Sequence, residues 1–265
     1  MASPKATQPR VHDEPAYVLH RHDWSESSLI LEVFSRRHGR VALVAKGVKR
    51  PTSQFRPVLL PLQPLRLGWG GDAEVRTLRS AQWQGGHVMP GGDQLLAGYY
   101  LNELLLKLLA RDDPHPALFD HYADAVLALA QGLEQQAAVV RAFELLLLRE
   151  AGLLPALDVE CASLQPLLDG SHYQLEPDAG LRLAIDDGGL PQQAHHALPG
   201  ESWLALQAAL ADPHPFAALL RACHGARGNA LRQPLRQLLH YHSGVRVFQT
   251  RQLMLDVRRL RPVHA

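Results

Sequence analysis

The sequence predicts an α+β chain: a small N-terminal β-barrel, then a mainly helical region carrying an irregular insert. Three observations lead there. Up to residue 85, short runs rich in β-branched and aromatic residues alternate with Gly/Pro turns. After residue 92, leucines recur at helical spacing. Between 153 and 200, Pro155, Pro166, Pro177, Pro191 and Pro199, with Gly170, Gly180, Gly188 and Gly189, break any regular period.

The elements follow in order. Residues 1–14 are polar, lack the apolar core of a signal peptide, and read as a disordered lead-in. Residues 15–85 form the barrel. Strands are expected at 16–20, 29–34 and 40–45, the last two joined as a hairpin across Ser35 to Gly39. The stretch 59–67 holds Pro61 and Pro64, which demote it to an edge or interrupted strand. GWGGD at 68–72 reads as a turn, and 73–81 as a last strand. Five short strands suit a barrel of the OB type, with a small sandwich as the competing topology. After a Gly-rich linker, residues 93–265 form the helical domain. Its helices are expected at 94–110, 117–130 and 135–151, the last stopped by Gly152. The insert spans 153–200, with short strands near 172–175 and 181–183, and helices return at 201–210, 213–222, 229–241 and 250–259.

Charge is segregated along a chain whose net charge is only +1. Residues 10–85 carry 12 Lys/Arg against 7 Asp/Glu, residues 93–200 carry 5 against 16, and residues 221–265 carry 9 against 1. From Val33 to Gly71 there is no acid, yet that stretch holds Arg36, Arg37, Arg40, Lys46, Lys49, Arg50, Arg56 and Arg66. Such asymmetry points to an anionic partner, nucleic acid first, unless the basic ends neutralise the acidic middle within one fold. Arg36, Arg37 and Arg40 crowd the hairpin turn. Lys46, Lys49, Arg50 and Arg56 fill the polar segment after the third strand, where OB barrels grip backbone phosphates. Phe55, beside these cations, is a candidate to stack on a base or to pack inward. The C-terminal run Arg246, Arg251, Arg258, Arg259 and Arg261 either extends such a track or balances the acidic middle.

Catalytic signatures are missing: there is no G-x-S-x-G, H-E-x-x-H or Walker loop. His20/His22 and His240/His242 are i, i+2 pairs without a third ligand nearby in sequence. Cys161 has no partner at C-x2-C spacing, since that position is Leu164, so a zinc site is not expected and no cofactor is implied. Two cysteines are too few for a disulfide framework, and a reducing, cytoplasmic setting is the simplest one. No apolar run is long enough to span a membrane. Two other classes stay open. Asp112/Asp113 or Asp186/Asp187 would serve a metal-dependent nucleic-acid enzyme, and the leucine-rich helices a protein-only scaffold.

Several segments resemble one family. YVLHRHDWSESSLILEVFSRRHGRVALVAKGVKRPTSQF and VRTLRSAQ are similar to the N-terminal OB domain of the RecO family. YLNELLLKLLARDDPHPALFDHY, VVRAFELLLLREAGLLPALDVEC and LRQLLHYHSGVRVFQTRQLML resemble its helical part, in the same order, over nearly all of residues 16–260. Some members place four cysteines in the insert. This chain keeps only Cys161, so its insert resembles a degenerate zinc ribbon of the metal-free branch. The resemblance implies a non-enzymatic DNA repair and recombination mediator, cytoplasmic and nucleoid-associated. It implies binding of single- and double-stranded DNA, strand annealing, and recombinase loading on DNA coated with single-strand-binding protein, together with RecR. It places the acidic C-terminal tail of the single-strand-binding protein at Arg141; Lys107 is a second candidate only as another rare cation of the acidic middle. Residues alone read Arg141 as an ion pair with Glu144 or a nearby Asp.

Overall fold

The structure, a computed structural model, describes residues 10–86, 88–132, 136–184 and 197–260, and only the backbone of Arg258 and Leu260. Most of the expected lead-in, along with Asp186, Asp187 and Arg261, lies outside the described residues. By compactness the chain divides into two units, Met1–Gln131 and Gly132–Ala265. The change from strand to helix near residue 90 therefore falls inside the first unit.

That unit is built on a closed five-stranded barrel. Its strands are β1 (Arg10–Asp23), β2 (Leu29–Ser35), β3 (Gly39–Ala45), β4 (Leu65–Gly70) and β5 (Val75–Trp83), in the order β1-β2-β3-β5-β4. All pairings are antiparallel except β3 with β5, where Ala42 faces Val75 and Val44 faces Thr77. This is the OB-like barrel the strand pattern suggested. Two boundaries differ from expectation. Residues 10–14 are not a lead-in but the start of β1, because they pair with β4 in the register Val11↔Trp69 and Glu14↔Leu67. Pro61 and Pro64 do not interrupt a strand, because β4 begins just after them at Leu65. It therefore absorbs Gly68, Trp69 and Gly70, which read as a turn. Gly68 is there for closeness: a Cβ would lie 2.4 Å from Ser80 Oγ and 3.2 Å from the Val11 carbonyl oxygen.

The long β1 serves two neighbours, with β4 along its first half and β2 along its second. Its register against β2 shifts between Val18 and His20. A shift of that kind reverses which side chains face inward. Before it, Ala16 and Val18 join Leu31, Val33, Val41, Leu43, Leu67 and Trp69 in the barrel core. After it, Arg21 stands opposite the core residue Leu31, and His20 opposite Glu32.

Helices α1 (Gly92–Leu108) and α2 (Pro116–Ala130) cover the outer face of β1 and β2. Tyr17 meets Phe119 and Tyr122 at ring separations of 5.5 and 5.0 Å, and Phe34 meets Phe119 at 5.5 Å. Two buried polar groups close the joint: Asn102 Nδ2 donates to the Leu19 carbonyl at 3.0 Å, and the Tyr122 hydroxyl donates to Asn102 Oδ1 at 2.6 Å. Burial pushes the Tyr17 phenol up to about 12, with Asp124 adding to the rise.

In the second unit α3 (Gln136–Glu150) is buried nearly all round, as a helix hydrophobic on every face must be. It packs on α5 (Pro215–Ala222), α6 (Ala226–Ala230) and α7 (Arg232–Ser243), and Gly152 closes it in the left-handed region at φ 69°. The insert holds a small sheet, in the order β7-β6-β8, of β6 (His172–Glu176), β7 (Gly180–Leu183) and β8 (Leu198–Pro199). The fully buried Trp203 of α4 (Gly200–Leu210) fastens it by donating Nε1–H to the Tyr173 carbonyl at 3.1 Å. The last helix is α8 (Gln249–Leu260).

Candidate nucleic-acid interface

The eight cations of the acid-free stretch fall into two groups. Five meet carboxylates brought in from elsewhere in the chain. Arg36 forms a two-pronged pair with Asp120 of α2, Nε to Oδ1 at 2.8 Å and Nη2 to Oδ2 at 2.7 Å. That pairing, first through its hydrogen bonds, raises the Arg36 pKa. Arg37 gives both its backbone N–H (2.7 Å) and its Nε (2.6 Å) to Glu14, whose side chain is 0% exposed. Arg40 lies 4.0 Å from Glu32 and also donates to the Leu106 carbonyl. Desolvation outweighs Glu32 there and lowers its pKa. Arg66 pairs with Asp13 at 3.6 Å, and Lys49 with Asp23 at 2.7 Å. The stretch is thus acid-free in sequence but largely compensated in space.

Lys46, Arg50 and Arg56 make up the second group. All three are exposed and have no ion pair among the described residues. They lie on the 46–64 segment between β3 and β4, which is braced rather than loose. Gly47 N donates to Ser28 Oγ at 3.3 Å, Lys49 N to the Ser27 carbonyl at 3.0 Å, and Lys49 Nζ to the Ser25 carbonyl at 3.0 Å. The β1–β2 loop and the β3–β4 segment therefore form one surface. Phe55 is half-buried and packs against the barrel core, the inward of its two expected readings.

Sequence reasoning missed two members of this surface. Trp24 stands 65% exposed between Asp23 and Ser25, the two residues that hold Lys49. Arg21 belongs to the mouth of the barrel only because of the register shift in β1. A tryptophan in a short polar loop was the one available signal for Trp24. Nothing in local sequence marks the shift.

Other candidates are committed elsewhere. Asp112 Oδ1 pairs with Arg76 Nη1 at 2.5 Å, and Asp113 with His115 at 3.2 Å. Arg111 bridges Glu32 and Glu74. The His20 and His22 rings lie 4.4 Å apart, and burial lowers the His20 pKa. Among the described residues no group of three or more His, Cys, Asp or Glu converges as metal ligands would. Cys223 is buried, and burial pushes its thiol up to about 12. In the second unit Arg141 Nη1 contacts Glu144 Oε2 at 2.6 Å, with side chains 12% and 1% exposed. Lys107 is exposed on α1, in the first unit, so no single unit brings these two together.

Comparison with known proteins decides the family. The model described as Recombination protein O N terminal matches residues 10–86, from the first residue of β1 through the end of the barrel. Recombination protein O C terminal matches residues 90–246. The chain belongs to the RecO family. It is 60% identical over 252 residues to DNA repair protein RecO of Polaromonas sp. strain JS666, covering 95% of this chain and 98% of that one. It is 60% identical over 259 residues to the protein of the same name from Variovorax paradoxus, at the same coverage. The Delftia acidovorans protein of that name is 54% identical over 261 residues, covering 96% of this chain and all of that one. The family boundary near residue 90 is one of sequence, whereas compactness keeps α1 and α2 with the barrel. No described helix is long and apolar enough to cross a membrane.

Proposed function

We propose that this chain is a recombination mediator in DNA repair that works by holding DNA and partner proteins, without covalent chemistry. The names of its relatives support the role in repair. The observation that carries the DNA contact is the trio Lys46, Arg50 and Arg56, exposed and without ion pairs among the described residues, on a segment braced against the β1–β2 loop. Arg36, Arg37 and Arg40 are drawn out of the direct contact set by their own carboxylates, and Lys49 joins it at the margin, since its partner Asp23 is largely exposed. Cations fixed on one face and aimed at backbone phosphates leave base edges able to pair, which suits strand annealing on single- or double-stranded DNA. Recombinase loading with RecR on coated DNA, in the cytoplasm and at the nucleoid, belongs to the same reading through the family.

The test is the triple change Lys46→Ala/Arg50→Ala/Arg56→Ala in the full chain. Three phosphate contacts give a salt slope of roughly −2 on single strands. The triple variant should lose about that much slope while its unfolding midpoint stays put. An unchanged slope would overturn the assignment.

The acidic tail of the single-strand-binding protein is placed at Arg141 on the same family grounds. There an incoming carboxylate competes with Glu144 for the guanidinium. Glu144→Gln leaves that nearly buried guanidinium without its partner and should then tighten binding of a tail peptide by about tenfold or more, beyond what an exposed ion pair would give. Weaker or unchanged peptide binding by titration calorimetry would sink this placement.

A further inference from the structure

The open end of the barrel is a built pocket. Its cavity is about 190 Å³, lined by Arg21, Leu29, Val48, Lys49, Arg56 and Leu59. The apolar members belong to the barrel itself: Val48 and Leu59 are buried in its core and Leu29 packs against that core. The cations come from two separate stretches of the chain, Arg21 from β1 and Lys49 and Arg56 from the segment after β3. Arg21 is turned to this end by the register shift in β1 and donates to the Leu59 carbonyl at 3.4 Å. Lys49 is held by Asp23 and Ser25. Arg56 has no ion pair among the described residues. Trp24 is not part of the lining, but it stands exposed in the chain between Asp23 and Ser25, the two residues that grip the lining residue Lys49.

An apolar floor under a cationic rim selects a ligand with a flat apolar body and an anionic tail. The volume is below the roughly 300 Å³ at which drug-sized sites begin, so the ligand is a single small group. We propose that the barrel mouth is a nucleotide subsite: one unpaired base enters over Leu29, Val48 and Leu59, its flanking phosphates meet Arg56 and Lys49, and the neighbouring base stacks on Trp24. A base held in a duplex cannot enter without unpairing. The mouth therefore reads strandedness, while Lys46 and Arg50 hold any phosphate backbone. This rests on the reading that DNA runs along the 46–56 segment.

The experiment measures the affinity of the full chain for three labelled probes at fixed salt: oligo-dT, an abasic strand of equal length, and a duplex. Trp24→Ala removes an exposed side chain and leaves the fold intact. It should weaken oligo-dT by about 5- to 150-fold, the range for loss of one stacked base. The abasic strand and the duplex should be unaffected. Arg56→Gln should weaken oligo-dT and the abasic strand alike. Equal losses on oligo-dT and the abasic strand with Trp24→Ala, or no loss on either, would overturn the subsite. If that happens while Lys46→Ala/Arg50→Ala still weakens every probe, only the subsite falls. If Lys46→Ala/Arg50→Ala weakens none, the segment reading falls as well. Displacement of oligo-dT, but not of the abasic strand, by an acidic peptide ending in an aromatic residue would assign the mouth to protein and likewise overturn it.

Discussion

The β2–β3 turn and the segment after β3 look alike in sequence and differ in fate. Both are basic and neither contains an acid. At the turn, Arg36, Arg37 and Arg40 are taken up by Asp120, Glu14 and Glu32. On the segment, Lys46, Arg50 and Arg56 remain exposed and without ion pairs among the described residues. Local charge density therefore cannot distinguish a cation that organises the fold from one offered to a ligand. What separates them is where the fold delivers carboxylates: three reach the turn, while the segment receives only Asp23, at Lys49, among the described residues.

The comparison can be broken most forcefully at Glu32. Its carboxylate is 8% exposed and faces both Arg40 and Arg111. Glu32→Ala strands buried positive charge and should lower unfolding stability by about 3 kcal/mol in a urea titration. Oligonucleotide binding by the protein that stays folded should hardly change. A marked gain of DNA affinity at intact stability would mean that the freed Arg40 at the turn also serves the ligand. Next in size comes the Lys46→Ala/Arg50→Ala/Arg56→Ala variant, with the opposite signature: a flattened salt slope and stability within about 0.5 kcal/mol of the parent. The smallest and most discriminating effect is expected from Asp120→Asn. The Arg36–Asp120 pair is half-exposed on both sides, so its loss should cost under about 1 kcal/mol. The freed Arg36 should steepen the single-strand salt slope by at most about 0.7. No steepening would show that the turn lies off the DNA path altogether.

The barrel and the helical order were legible because periodicity and turn chemistry are local. Alternation along β2 and β3 and the Gly39 turn needed only neighbouring residues. Gly39 has φ 65°, and a Cβ there would fall 1.9 Å from the Asp113 carbonyl oxygen. The strand β4 begins six residues later than the sequence pattern predicts, because Pro61 and Pro64 precede it and do not belong to it. Its Gly-Trp-Gly looked like a turn, but Trp69 is buried in the barrel core. The candidate site was half legible. The charged segment announced itself, but Glu14 and Asp120 lie 23 and 84 residues from their arginines, beyond any window. Arg21 and Trp24 stayed hidden for a related reason: one depends on a register shift, the other on how two loops brace each other.

The double pairing of β1 also sets a timetable for synthesis. Its second half can pair with β2 almost at once, through the loop at 24–28. Its first half must wait for β4: Arg10 faces Gly70, roughly 60 residues later. At about 5–20 residues per second that is a delay of roughly 3 to 12 seconds. For that interval the nascent chain carries an open strand edge, the kind of surface that recruits stray chains. The waiting segment is Arg10-Val11-His12-Asp13-Glu14-Pro15, charged and ended by a proline, among the least adhesive edges a chain on the ribosome could display.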